Sequence, residues 1–590
     1  MRQALRAEHH EYRNEAHIER IVLSRGTSIS DWGERAYSFR KTRPLMLPGR
    51  PGTAFTVVFE GGGETPARLL RQSKNGLVLR LLTPPCDPTP PASIYWDPAW
   101  IVRRLSTYVS VLDLNPVTLS ALGLRPVLPR LAQPSVLPHE ALDQDQSRVL
   151  RYALEGPYTA IVGPPGTGKS RLVAHMILEL RARGNSVLVV TPSNVTADLI
   201  AMRILPFAGS ESVLGNVVRL GTVQTPVLAA LANQPATLGS APTIHIADGS
   251  DADAADRAIK AADVLITALP RTWTTGGLRR RFDVAIADEA SMALIPAVIA
   301  AFGHATRQGI VVGDPCQLGP IVHSRSPLSD RWLRRCVFDL ADRGRAAPVV
   351  ALRTQYRMRP GIADLVSTLS YRHLLRSAPE VLARPFAPCA LGEDEMFLVD
   401  TSALSHGGAT LENPAHAYVA AALADLLRPL DSEEPTGSVA LISRFRRQVA
   451  LTRRAIREGC HYPSSAVAST VHSFQGSEAD AVVVDLCASP GSYLGDYLVD
   501  AHTRSDGGRL LTVALSRARD RLAVIANVDF LTHSRAIPES AASRRMLRLL
   551  LDRATVIPAR EVLALHRSLG RHRPDDATHI RLPSSIGYGD

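Results

Sequence analysis

The stretch Ile161 to Ser170, IVGPPGTGKS, fits the pattern GxxxxGK[ST] and stands between an apolar run, TAIV, and a helix-forming segment, SRLVAHMILELRARG. A strand, a glycine-rich turn and a helix N-terminus in that order make a phosphate cradle, so this feature constrains the fold more than any other in the chain. The backbone N–H groups of Gly166, Thr167, Gly168 and Lys169 are expected to wrap the phosphates, Lys169 to neutralise the β and γ oxygens, and Ser170 to ligate Mg²⁺. Lys169 is one of four lysines against 63 arginines. A compact ammonium kept in so arginine-rich a chain suits a phosphate better than a guanidinium fork does.

The residues downstream supply what such a cradle needs. In VAIADEAS the apolar run to Ala287 places Asp288 and Glu289 at the carboxyl edge of a sheet, where ligands sit in open α/β folds. Asp288 is expected to hold Mg²⁺ through water, and Glu289 to orient and deprotonate an attacking water. A further strand ends in GIVVGDPCQL, which puts Asp314 and Gln317 at the position of a γ-phosphate sensor. TQYRMRP and TVALSRAR lie in a later segment without a phosphate cradle of its own. Their Arg357 and Arg517 can reach a γ-phosphate if two domains face each other across the nucleotide.

The order of elements predicts an α/β protein of several domains. From about Tyr158 the chain alternates the buried strands TAIV, SVLVV, VLITA, VAIAD and GIVVG with helices, and a second series begins near Ala346 with PVVAL, SVALIS, AVVVDL and RLAVIA. Before them, residues 1 to about 22 read as helix, and short alternating runs from Ala54 read as a small β-barrel or β-sheet module. That module is expected to close at the proline-rich linker PPCDPTPP and to be followed by a helix over about 98–111. The resulting division is 1–115, 116–345 with a small insertion at about 222–260, 346–568, and a polar tail, 569–590, read as mobile. A formal charge of +11 points to a polyanionic partner. No stretch is apolar for long enough to span a bilayer, and the charged N-terminus does not read as a secretory signal, so the expected location is the cytoplasm and no membrane is expected as a partner. Six well-separated cysteines form no CxxC pair and no Cys/His cluster at metal-ligand spacing, which speaks against a zinc or iron–sulfur site.

Taken in order, LDQDQ, GPPGTGKS, TPSNVTADLI, RLGT, DEAS, GDPCQLGP, QYRMRP, ISRFRRQ, STVHSFQGSEAD and VALSRAR resemble the motifs of superfamily 1 helicases, and most of all the branch containing the nonsense-mediated-decay helicase and its relatives. The resemblance runs from about Leu142 to Asn527. It implies two tandem RecA-like motor domains preceded by a β-barrel on helical stalks. It implies ATP with Mg²⁺ as cofactors, single-stranded DNA or RNA as partner, and movement 5′ to 3′. By the same resemblance Gln146 reads the adenine edge, Tyr356 stacks on the base, and Glu478 contacts the ribose or the phosphate end. Ser193, Asn194, Thr267, Thr470 and His472 would line a single-strand track across the tops of both domains. Three departures stand out: Gly319 replaces a usual proline, Arg444-Phe445 replaces Pro-Tyr, and Thr512 replaces asparagine. Arg444 is thereby able to add a phosphate contact. Two other activities remain compatible with these residues: a remodeller that displaces proteins without unwinding duplex, and a helicase subunit of a larger complex with protein partners.

Overall fold

In the computed structural model, the structure describes residues 1–15, 21–32, 34–42, 54–60, 63–73, 75–83, 86, 88–95, 99–125, 137, 141–154, 156–207, 213–232, 244–247, 252–274, 278, 280–341, 349–404, 411–430, 437–500 and 504–570. Three large sheets organise them, beside a two-stranded one of Thr354–Gln355 and Arg376–Ser377. The central one has eight parallel strands in the order Ile244–Ala247, Val217–Leu220, Val264–Ala268, Val187–Thr191, Phe282–Ala287, Ala305–Gly313, Tyr158–Val162, Val349–Ala351. Most of these carry an apolar stretch of at least three residues, as expected of strands covered on both faces. Residues of alternate parity enter two separate cores: Leu188, Val190, Ala285 and Val311 on one face, Val187, Val189, Ile286 and Ile310 on the other.

The second parallel sheet runs Ala466–Thr470, Val439–Ser443, Ala479–Asp485, Ala518–Ala526, Met396–Asp400, Thr555–Pro558 and is likewise buried on both faces. These two sheets are the RecA-like pair of the α/β reading. One strand changes sides. PVVAL, expected to open the second series, contributes Val349–Ala351 to the edge of the first sheet, paired with the strand that feeds the phosphate loop. The chain therefore crosses between domains at Leu352 to Gln355, immediately before Tyr356.

The N-terminal sheet is antiparallel, in the order Ile21–Leu23, Ala92–Tyr95, Ala54–Phe59, Glu64–Gln72, Gly76–Leu81, Ala36–Arg40, Thr27–Ser28. Its first strand also bonds to the continuation of Ala36–Arg40: Ser24 N donates to Arg40 O at 2.9 Å and Thr42 N to Val22 O at 3.0 Å. The module does not close at the proline-rich segment. Ala92–Tyr95, just beyond it, lies between two other strands. GLVLRL alternates strictly, with Leu77, Leu79 and Leu81 inside.

The helices flanking this sheet belong elsewhere. Arg2–Glu15 and Ala99–Ser110 place Ala4, Leu5, Val102 and Leu105 in the core of the first parallel sheet. Glu8, almost fully buried, accepts hydrogen bonds from the backbone N–H groups of His323 and Ser324, both at 2.8 Å. The sequence division at 115 thus cuts through a packed unit. Within the expected insertion, Ile244–Ala247 is an edge strand of the same sheet. The last helix, Ala559–Gly570, reaches into the segment read as a tail, and residues 571–590 lie outside the described residues.

Candidate nucleotide site and strand-facing surface

The helix Lys169–Ala182 starts directly from the loop after Tyr158–Val162, with Gly168 as its cap at φ 76. A positive φ strains any residue with a Cβ, and a Cβ on Gly168 would also meet Gln146 Nε2 at 2.6 Å. Lys169 Nζ donates to Gly163 O at 2.7 Å and so lies back across the cradle. Gln146 sits at the third position of the helix Gln144–Ala153 in a reciprocal capping box with Asp143. Its Nε2 donates to Thr167 O at 3.1 Å, so the residue expected to read adenine braces the loop. Ser170 is half-buried on the first turn.

At the ends of the neighbouring strands the carboxylates gather. Asp288 is buried and neither of its oxygens has a hydrogen-bond partner among the described residues, and Glu289 Oε2 is in the same condition. Burial and the adjacent Glu289 push the Asp288 carboxyl up to about 7, against the pull of Lys169. Glu289 adopts φ 50, a left-handed conformation rare for a side chain of its size. Asp314 accepts from Tyr371 Oη at 2.6 Å, from Gln317 Nε2 at 2.9 Å and from Cys316 N at 3.0 Å. A Mg²⁺ ion would suit an orphaned, buried carboxylate at a strand end, with the half-buried Ser170 on the first turn of the helix that follows the phosphate loop as a second oxygen donor.

The second domain completes the site. Tyr356 N donates to Gly166 O at 2.8 Å, and a Cβ built on Gly166 would lie 2.7 Å from that of Arg357. Arg357 bonds Glu478 at 2.6 Å and Ser516 O at 3.3 Å, so Glu478, expected at the ribose or the phosphate end, holds the guanidinium. Arg517 is buried and spans the interface, donating to Val513 O at 3.0 Å and to Gln317 Oε1 of the first domain at 3.1 Å. Burial and the charge of Arg357 lower it to about 9, still protonated at neutral pH. Tyr356 is only partly buried, and its hydroxyl bonds Asp143.

Residues assigned to a strand track divide into four groups. Ser193 is exposed just past Val187–Thr191 and caps the helix Asn194–Ile204 through Thr196 N. Thr470, Arg444 and His472 cluster at the ends of Val439–Ser443 and Ala466–Thr470. Arg444 stacks over Tyr497 at 5.2 Å, Thr470 Oγ1 bonds Ser473, and local desolvation with the charges of Arg444 and Arg446 lowers the pKa of the His472 imidazole, whose residue is exposed. Asn194 is half-occupied by structure, its Oδ1 accepting from Arg219 at 3.1 Å. Thr267 does not reach the surface. It is fully buried and donates to Leu220 O at 3.0 Å, which joins two strands and leaves nothing for a ligand.

Several supports escaped the sequence reading. Arg219, of RLGT, is fully buried in an ion pair with Asp198 at 2.9 Å, and Asp198 also accepts from Gln224 N and Thr225 N. That network sets the loop carrying Asn194. Arg384 donates to Tyr356 O and Arg357 O and fixes the QYRM segment. Two departures also acquire reasons. Gly319 leaves room for Arg509, whose Nη1 would be 2.9 Å from a Cβ there and whose Nε donates to Pro315 O. Thr512 is buried and its hydroxyl bonds Gly508 O and Ser370.

Comparison with known proteins agrees with this arrangement. A family profile described as an AAA domain matches residues 141–241 and 245–325, and a second AAA-domain profile matches 333–529. The chain is 26% identical over 435 residues to the DNA-binding protein SMUBP-2 of Rattus norvegicus, covering 65% of this chain and 43% of the relative. It is 27% identical over 428 residues to regulator of nonsense transcripts 1 of Dictyostelium discoideum (66% and 31%), and 24% identical over 462 residues to the DNA replication ATP-dependent helicase/nuclease dna2 of Schizosaccharomyces pombe (72% and 31%). The matched part thus spans less than half the length of each of these relatives. The chain belongs to the superfamily 1 helicases, in the branch related to the nonsense-mediated-decay helicase.

Proposed function

We propose that this protein is an ATP-driven helicase or translocase on single-stranded nucleic acid. The observation that carries the reading is the composite cleft: a phosphate cradle and two buried acids from one domain, faced by Arg357 and Arg517 from the other. Gly166 to Ser170 would hold the phosphates, Asp288 and Ser170 the Mg²⁺, and Glu289 would take the proton of the attacking water. A bound Mg²⁺ would offset charge on the phosphate oxygens. Gln317 links Asp314 to Arg517, so a change in the first domain's sensor is felt by a guanidinium anchored in the second. Closure and reopening of this interface would alternate the grips of Ser193 and Asn194 against Arg444, Thr470 and His472 on one strand. Gln146 and Tyr356 flank the adenine position, where each would exchange its present bond for the base.

The N-terminal sheet, whose first strand bonds back to residues 40–42, is read as a small barrel beside the strand, with its flanking helices as stalks. The proposed direction, 5′ to 3′, rests on the family resemblance. Duplexes with a 5′ or a 3′ single-stranded overhang, offered as DNA and as RNA, test it together with the substrate class. Unwinding from the 5′ overhang alone is the expected result. Unwinding from the 3′ overhang contradicts the direction, and strand-stimulated ATP hydrolysis without unwinding favours a nucleoprotein remodeller.

A further inference from the structure

The second parallel sheet carries on its outer side a group of side chains that the nucleotide chemistry does not use. Asp425 lies near the end of the helix Pro414–Leu426, Cys460 terminates the helix Arg446–Gly459 and is followed by His461, and His566 is on the last described helix, Ala559–Gly570. The ligand atoms of Asp425, His461 and His566 all lie within 4.8 Å of one another. Asp425 Oδ2 is 2.8 Å from His566 Nε2, and Asp425 Oδ1 is 3.0 Å from Cys460 Sγ. The two imidazoles stack with centroids 5.0 Å apart. Asp425 and His566 are buried, with 9% and 2% of their surface exposed.

We infer that Asp425, His461 and His566 form a structural site for a zinc-type transition-metal ion that fastens the last helix to the second motor domain, with the Cys460 thiol, which contacts Asp425 but lies outside that group of three, turning in as fourth donor. The donor chemistry selects the ion class. Two imidazoles, a carboxylate and a thiol suit zinc and its neighbours, whereas magnesium and calcium take oxygen-only sets. The short contacts are what an ion would replace: the proton of the Cys460 thiol and the proton shared by His566 and Asp425 are displaced when the metal enters. Spacing along the chain conceals the group, because Asp425 is 35 positions from Cys460 and 141 from His566. The consequence is mechanical. The strand Thr555–Pro558 and the helix after it form the free edge of the sheet, and an ion held between three helices pins that edge.

Arg428 lies beside the group, its Nη2 donating to Tyr462 O at 3.3 Å. Its charge can balance Asp425 without an ion, so an ion-free hydrogen-bonded clasp is the competing outcome. The deciding experiment uses the full chain without a histidine tag, purified from zinc-supplemented cells and passed over a desalting column. Metal content is then measured by mass spectrometry for the wild type, His461→Ala and Cys460→Ser, with cooperative thermal unfolding of each as the folding control. The expected result is about one zinc per wild-type chain, a loss of affinity of at least about tenfold in His461→Ala, and a thermal midpoint that a chelator lowers in the wild type alone. Substitution by cobalt(II) should give a sulfur-to-metal charge-transfer band that Cys460→Ser removes. A wild type without zinc, or variants retaining as much as the wild type because only an adventitious ion is bound, overturns the inference.

Discussion

Both oxygens of Asp288 are buried without a partner among the described residues, and Glu289 beside it is held in a left-handed conformation. An arrangement that costs stability in the free protein is retained where a ligand relieves it. Glu289→Gln keeps the shape of the cradle and removes the proposed base. It should bind ATP about as well as the wild type and hydrolyse it slower by roughly 10² to 10⁴-fold, measured as single-turnover hydrolysis beside equilibrium nucleotide binding. The Asp288 carboxyl, raised to about 7, gives a second expectation. Below that pH the folded protein holds a proton that a dication must displace, and above it the carboxylate is free. Apparent Mg²⁺ affinity should therefore weaken by about tenfold per pH unit on going below 7 and level off above it. The same raised pKa means this group's contribution to folding stability falls as pH rises from about 4 to 7. A Mg²⁺ titration by calorimetry at several pH values reads the first effect directly.

At the scale of elements, the helix Arg2–Glu15 and the sheet that follows it have different loyalties. Leu5 and Glu8 belong to the first motor domain, while the strands between Ile21 and Tyr95 form their own core. Excising the sheet and joining the two helices by a short flexible linker should leave basal ATP hydrolysis largely intact and weaken strand affinity. Leu5→Ala should instead destabilise the motor by about 2–5 kcal/mol, seen in denaturant unfolding. The sequence made the central strands legible because a strand buried on both faces is an unbroken apolar run, as in SVLVV and AVVVDL. Short strands at or next to the sheet's edges escaped. Val217–Leu220 and Ile244–Ala247 are four residues each and Val349–Ala351 only three, too short for periodicity to identify or to assign to a domain. The phosphate loop was readable because its chemistry is local. Arg384, the Arg219–Asp198 pair and the burial of Thr267 were not, since each depends on which distant backbone the fold brings alongside.

For the whole molecule, the decisive feature is that neither domain holds a complete site. Tyr356 N meets Gly166 O, Arg517 meets Gln317, and Arg509 meets Pro315 O, so the strand contacts proposed for the second domain are joined to the phosphate cradle across one interface. An ATPase built this way should respond to anything that closes the interface, and a single strand laid across both domains is the natural candidate. The most direct measurement is steady-state ATP hydrolysis by the wild type and by Arg517→Ala, each with and without a single-stranded oligonucleotide. The account predicts that the strand accelerates the wild type, and that Arg517→Ala binds nucleotide but loses roughly 10³-fold or more in rate with the strand present. A wild-type rate indifferent to the strand, or an Arg517→Ala enzyme that hydrolyses ATP at the wild-type rate, would contradict it.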